Sequence, residues 1–108
     1  MGYAPSRHTR GVIIGKLIKT FPDRETERLY TTGLSRQFQG CARTAFQKLR
    51  MVDGASRLTD LGTLPGNRLE ALKGDRRGQY SIRVNDQYRI TFRFEAGGAW
   101  EVRCEDYH

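Results

Sequence analysis

The stretch that decides the fold is Tyr80-Ser81-Ile82-Arg83-Val84-Asn85-Asp86-Gln87-Tyr88-Arg89-Ile90-Thr91-Phe92-Arg93-Phe94. Apolar residues at 80, 82 and 84, then at 88, 90, 92 and 94, alternate with polar ones. That is the period of a half-buried strand. Directly paired residues of an antiparallel pair share a face. A two-residue loop at Asn85-Asp86 would set Ile82 opposite Arg89 and mix the faces. A three-residue loop, Asn85-Asp86-Gln87, pairs Val84 with Tyr88, Ile82 with Ile90 and Tyr80 with Phe92. Burial selects the second register. It also sets Arg83 opposite Arg89 and Gln79 opposite Arg93. Trp100, Val102 and Cys104 continue the alternation in a further strand, and a strand over 68–73 precedes it. The prediction is an antiparallel meander with one greasy face and one charged face.

Upstream, the period changes. Leu17 to Phe21 reads as a short strand. Pro22 suits the first turn of a helix, and Asp23, Glu25 and Glu27 suit its positive end. Leu29 and Tyr30 give that helix an apolar face, and Gly33 ends it. A second helix is predicted with Ser35 as its cap, because Leu34, Phe38, Cys41, Ala42, Ala45, Leu49 and Val52 recur at three or four residues. Gly40 inside it costs about 1 kcal/mol against alanine. Residues 56–64 read as a short helical turn, and Pro65-Gly66-Asn67 breaks the chain. The fold class predicted is α+β in two layers, with an N-terminal strand and two helices packed on an antiparallel sheet. Residues 1–15 show no periodicity and are read as an extension, leaving 16–108 as the domain.

At 108 residues and 37% hydrophobic, the chain has the size and composition of one globular domain. No apolar run approaches the roughly 20 residues that span a bilayer, so the expectation is a cytoplasmic protein without membrane contact. Cys41 and Cys104 have neither disulfide-framework nor metal-ligand spacing and are expected as buried, reduced thiols. No metal and no cofactor is expected. There is no phosphate-cradling glycine loop and no nucleophile elbow.

The net charge is +7 and the pI about 9.9. Of the 19 basic residues, 15 are arginine and 4 lysine. The forked guanidinium suits phosphate recognition, which makes nucleic acid the first partner to consider. Between Arg68 and Arg93 the net charge is +4. Arg83, Arg89 and Arg93 therefore form a candidate phosphate-binding face. The competing reading is that Glu101 and Glu105 on the next strand neutralise it.

Two runs carry a resemblance. One is Asn67-Arg68-Leu69-Glu70-Ala71-Leu72-Lys73-Gly74-Asp75-Arg76-Arg77-Gly78-Gln79-Tyr80, continuing through Tyr88-Arg89-Ile90; the other is Glu105-Asp106-Tyr107-His108. Together they resemble the HigB branch of the RelE superfamily of bacterial toxins, over roughly residues 17–108. The resemblance implies a compact microbial-RNase-like domain. It implies a metal-independent endoribonuclease that cuts mRNA in the ribosomal A site. It also implies a HigA-like helix-turn-helix antitoxin as partner, with operator DNA reached only through that antitoxin.

Metal-free RNA cleavage needs a base for the 2′-hydroxyl, an acid for the 5′-oxygen and cations for the phosphorane. Imidazole titrates near neutrality, so the resemblance makes His108 the proton carrier. Asp106 would orient it or act with it. Tyr107 would stack on a base, and Lys73 and Arg89 would hold the scissile phosphate. Arg76, Arg83 and Arg93 are the expected backbone contacts. One departure stands out. Some members of the branch carry a histidine three residues before the motif lysine, where this chain has Glu70. Either His108 then works with Asp106 or with Glu70, or activity is weak. The alternative function is a non-enzymatic basic module that docks RNA, DNA or an antitoxin.

Overall fold

The structure is a computed structural model that describes residues 17–95 and 97–107. The extension read at 1–15 falls outside these residues, as does His108.

Asp23 starts α1 (Arg24–Thr32). Its Oδ1 accepts the Thr26 amide at 2.7 Å and its Oδ2 accepts the Thr26 hydroxyl at 3.1 Å, which satisfies a donor that a helix start leaves open. Gly33 ends the helix at φ +77° and donates its N–H to the Leu29 carbonyl at 2.8 Å. Leu29 and Tyr30 turn inward, as read.

The second helix, α2 (Ala42–Gly54), is shorter than its periodicity predicts. Ala45, Leu49 and Val52 form its buried stripe, but residues 35 and 36 are irregular and residues 37–41 form a turn. The Ser35 hydroxyl, expected as a helix cap, donates to Glu25 Oε2 of α1 at 3.1 Å and accepts the Phe38 amide at 3.2 Å. That tertiary tie and the poor helix propensity of Gly40 favour turns. Phe38 and Cys41 still reach the core, whereas Leu34 is left 69% exposed. A short helix, α3 (Leu58–Gly62), lies within the turn expected at 56–64 and buries Leu61.

Four strands follow in the order β1 (Glu70–Ala71), β2 (Gln79–Arg83), β3 (Tyr88–Glu95) and β4 (Gly98–Asp106), each antiparallel to its neighbours. The hairpin register is the one burial selects: Tyr80 pairs with Phe92, Ile82 with Ile90 and Arg83 with Arg89. Asn85 closes the three-residue loop, its Oδ1 accepting the amides of Gln87 and Tyr88 at 2.8 and 2.7 Å. The strand expected over 68–73 shrinks to two residues, because Arg68 turns to φ +44° at one end and Gly74–Arg76 winds into a 3-10 turn at the other.

Two expectations are corrected. Leu17 to Phe21 is not a strand but one parallel bridge between Ile18 and Ala99. Asp53 Oδ1 takes the amides of Leu17 and Ile18, each at 3.0 Å, and Oδ2 accepts the Tyr30 hydroxyl at 2.8 Å. Amides that would extend a ladder are thus held by α2. Gly98 lets this segment lie close, since a Cβ there would stand 2.6 Å from the Leu17 carbonyl oxygen.

The second correction concerns Trp100. Thr91 pairs with Arg103 but Arg93 pairs with Trp100. Glu101, at φ +53°, is therefore an extra residue that bulges from β4. Upstream of it the parity inverts. Ala99 enters the core, and Trp100 shares the face of Arg93 rather than that of Val102 and Cys104. The helices cover the other face, where Ile82, Ile90, Phe92, Val102 and Cys104 form the core.

Candidate functional site

The sheet face turned away from the helices is only partly the charged surface expected. Ser81 and Thr91, paired across β2 and β3, are covered, and Arg89 is 7% exposed. The like-charged pair Arg83–Arg89 is relieved because the two side chains leave in different directions. Arg83 forms an ion pair with Asp86 in the loop. Arg89 runs inward, with Nε donating to Ser81 Oγ at 2.7 Å and Nη2 donating to the Arg68 carbonyl at 2.5 Å.

At one end of this face the charges cancel. Arg76 makes a forked pair with Glu105 at 3.1 and 2.7 Å and also donates to Gln79 Oε1 at 2.8 Å. Thr91 donates its hydroxyl to Glu105 at 2.5 Å. Burial alone would push the Glu105 carboxyl up, but the hydrogen bonds from Arg76 and Thr91 and the charges of Arg76 and Arg103 outweigh it, so its pKa lies below the usual range. Arg93 pairs with Glu101 at 3.2 Å. The competing sequence reading named these carboxylates for Arg83 and Arg89, but they engage Arg76 and Arg93 instead.

At the other end an open groove of about 450 Å³ is lined by Glu70, Ala71, Leu72, Lys73 and Tyr107. The Tyr107 amide donates to the Gln87 carbonyl at 2.7 Å, extending the ladder past β4. Its ring lies on the Arg89 guanidinium, 5.0 Å from carbon to centroid. The Tyr107 hydroxyl donates to Glu70 Oε1 at 3.4 Å, and the same oxygen is 3.9 Å from Arg89 Nη2. Among the described residues, no carboxylate pairs with Lys73.

The structure thus gathers Lys73, Arg89 and Tyr107 and adds Glu70. It places Asp106 elsewhere. Asp106 pairs with Tyr88, whose ring meets Phe38 on the helix side, and its Oδ2 accepts from the Gln87 side-chain Nε2 at 3.0 Å. Asp106 lines a separate groove with Asp23, Gln37 and Cys104.

Sequence reasoning passed over Ser81 and Arg68, the groups that hold Arg89. A signal existed: Ser81 and Thr91 are small hydroxyls among arginines, and they leave room for a guanidinium to lie down. Both thiols are free and buried. Burial pushes both upward, Cys104 to about 12, so neither serves as a nucleophile near neutral pH.

This strongly basic α+β domain, with the Tyr107 ring seated on the buried Arg89 beside Lys73, is matched by a family model of RelE-like toxins. The sequence model of the HigB-like toxin family, described as the RelE-like toxin of the type II toxin–antitoxin system HigB, matches residues 19–108, and the chain belongs to that family. It is 48% identical over 54 residues to Toxin HigB-1 of Vibrio cholerae, covering 50% of this chain and 57% of that protein. It is 43% identical over 63 residues to Endoribonuclease HigB of Proteus vulgaris, covering 56% of this chain and 65% of that protein. The aligned stretches thus span less than two thirds of either relative. Among solved structures, a YoeB/ParE toxin from Agrobacterium tumefaciens is similar at TM-score 0.49 and 21% identity, covering 85% of this chain and 96% of that one.

Proposed function

We propose that this chain is the toxin of a type II toxin–antitoxin pair and acts as an endoribonuclease on mRNA in the ribosomal A site. Its antitoxin partner is of the HigA-like helix-turn-helix kind, and operator DNA is met only through that partner. The cytoplasm, where ribosomes and mRNA are found, is the proposed location. Family membership and a relative named as an endoribonuclease support the reading. The observation that carries it is the Tyr107 ring on Arg89 beside Lys73 in an open groove.

In this reading a base of the RNA stacks on Tyr107. Lys73 holds the scissile phosphate, and Arg89 adds fixed positive charge from beneath the ring. The 2′-hydroxyl attacks the adjacent phosphate and leaves a 2′,3′-cyclic phosphate. His108, next in sequence after Tyr107, protonates the leaving 5′-oxygen, and Asp106 supports the chain end that carries it. Arg83, Arg76 and Arg93 contact the RNA backbone but release different partners to do so. Arg83 need only leave the exposed Asp86, whereas Arg76 must break a fork with Glu105.

The test maps mRNA ends in cells that express the chain, and in a purified mixture with and without ribosomes. Cuts within codons that appear only with ribosomes are the expected result. Growth arrest without any new mRNA ends would reject the enzyme in favour of a binding module.

A further inference from the structure

We propose that Lys48, Arg68 and Arg83 form a second phosphate subsite, which holds the RNA strand beside the groove rather than at the bond that is cut. The subsite rests on the ribonuclease reading above and adds a binding position to it. Lys48 is half-buried on α2, and its Nζ donates to Asn67 Oδ1 at 2.5 Å, at the end of the 3-10 turn Pro65–Asn67. Asn67 is fully buried, and its Nδ2 donates to the Leu61 carbonyl at 3.1 Å. The amide is thereby fixed with its oxygen toward Lys48. An ammonium has three donors, and this contact uses one of them. Among the described residues, no carboxylate pairs with Lys48. A cation on a neutral acceptor keeps its charge uncancelled.

The neighbours of Lys48 add positive charge. Burial first, and then the charge of Arg83 at the end of β2, pull the Lys48 ammonium below its ordinary range. Arg83 pairs with Asp86, whose side chain is 95% exposed. Arg68 follows Asn67 directly, is exposed, and among the described residues pairs with no carboxylate. Three cations thus share one solvated carboxylate. Such a set costs free energy until an anion enters it.

The cluster is continuous with the groove. The Arg68 carbonyl accepts Arg89 Nη2 at 2.5 Å, and Arg89 carries the Tyr107 ring. Glu70, two residues after Arg68, lines the groove with Lys73. A strand with one base on Tyr107 and one phosphate at Lys73 passes Arg68 and sets another of its phosphates between Lys48 and Arg83. The guanidinium groups fork onto the non-bridging oxygens, and the ammonium meets them as a point charge. Phosphate contacts carry no base information. The subsite therefore holds the register of the strand and leaves base choice to the groove.

The experiment measures binding of a 2′-O-methylated single-stranded RNA, which has no free 2′-hydroxyl to attack, to the full-length chain by fluorescence anisotropy across a salt series. Lys48→Gln keeps a donor for Asn67, and Arg83→Gln removes the second cation without touching that contact. Each is expected to lower the slope of log K against log salt by about 0.7, equally for strands of different base sequence. Arg28→Gln, exposed on α1, is the control and should leave the slope in place. An unchanged slope in either variant, its fold verified by circular dichroism, would overturn the subsite and leave the ribonuclease reading standing. Affinity lost at constant slope would also overturn it, because that is the mark of Lys48 merely holding Asn67 in place. An acidic peptide that binds at the cluster where the strand does not would assign it to a protein partner and overturn it. A wild type that cuts mRNA on ribosomes but holds no free strand would overturn the subsite alone. One that neither cuts nor holds would remove the reading and the subsite together.

Discussion

Arg76 and Arg89 lie on the same face of the same sheet and are compensated in opposite ways. Arg76 meets a carboxylate, and Gln79 and Thr91 complete a closed cluster around the pair. Arg89 is more deeply buried, yet its hydrogen bonds go to a hydroxyl and to backbone carbonyls, and its carboxylate neighbour stands 3.9 Å off. A buried cation must have its donors satisfied. Neutral acceptors satisfy donors without cancelling charge. The Arg76 end is therefore close to neutral, while the Arg89 end keeps a positive potential under Tyr107 and beside Lys73. An anion gains more at the second end.

Three substitutions bear on that contrast. Arg89→Ala strands Ser81 Oγ and the Arg68 carbonyl, and should lower stability by about 3 kcal/mol. Urea unfolding measures it, and a loss below about 1 kcal/mol would mean that Arg89 does not hold the sheet face together. Lys73→Ala should leave the unfolding midpoint in place and slow cleavage about 100-fold, so the buried arginine and the groove lysine would separate in what they contribute to stability and to chemistry. Equal rates for Lys73→Ala and wild type would shift the site away from the groove. Glu105→Gln is the mildest, with a loss of about 1–2 kcal/mol and cleavage close to wild type.

The Glu105 substitution also carries a pH signature. Glu105 titrates below its ordinary range in the folded chain. Its contribution is therefore complete above the unfolded carboxylate value and fades as pH falls through the lower folded value. The stability gap between wild type and Glu105→Gln should narrow in acid. A constant gap from neutral to acid pH would mean that the Arg76 fork adds no net stability.

The hairpin was legible because two constraints agreed. Alternation fixed which residues face inward, and only a three-residue loop kept them together. Asp23 and Gly33 were legible because capping is local chemistry. The bulge at Glu101 was not, since alternation on either side of an added residue looks unbroken and a glutamate gives no hint of positive φ. The start of α2 was missed because Ser35 can cap a helix or bond a neighbouring one, and sequence does not say which. Grouping Asp106 with Tyr107 followed the family resemblance of the closing motif, whereas neighbours along a strand point to opposite faces. Lys73, Arg89 and Tyr107 came together as read. The depth of Arg89 did not show, because it depends on hydroxyls from two other strands.

The segment from Leu17 to Thr20 has an effect beyond the fold. Along β4 the Ala99 amide bonds Leu17, the Glu101 and Val102 amides bond Thr20, and the Cys104 amide bonds the Thr26 hydroxyl. The opposite border, β1, is two residues long. Among the described residues, neither margin offers a free run of donors for a second chain to template on. The two borders of the sheet thus give the folded chain little means of growing into fibrils strand by strand.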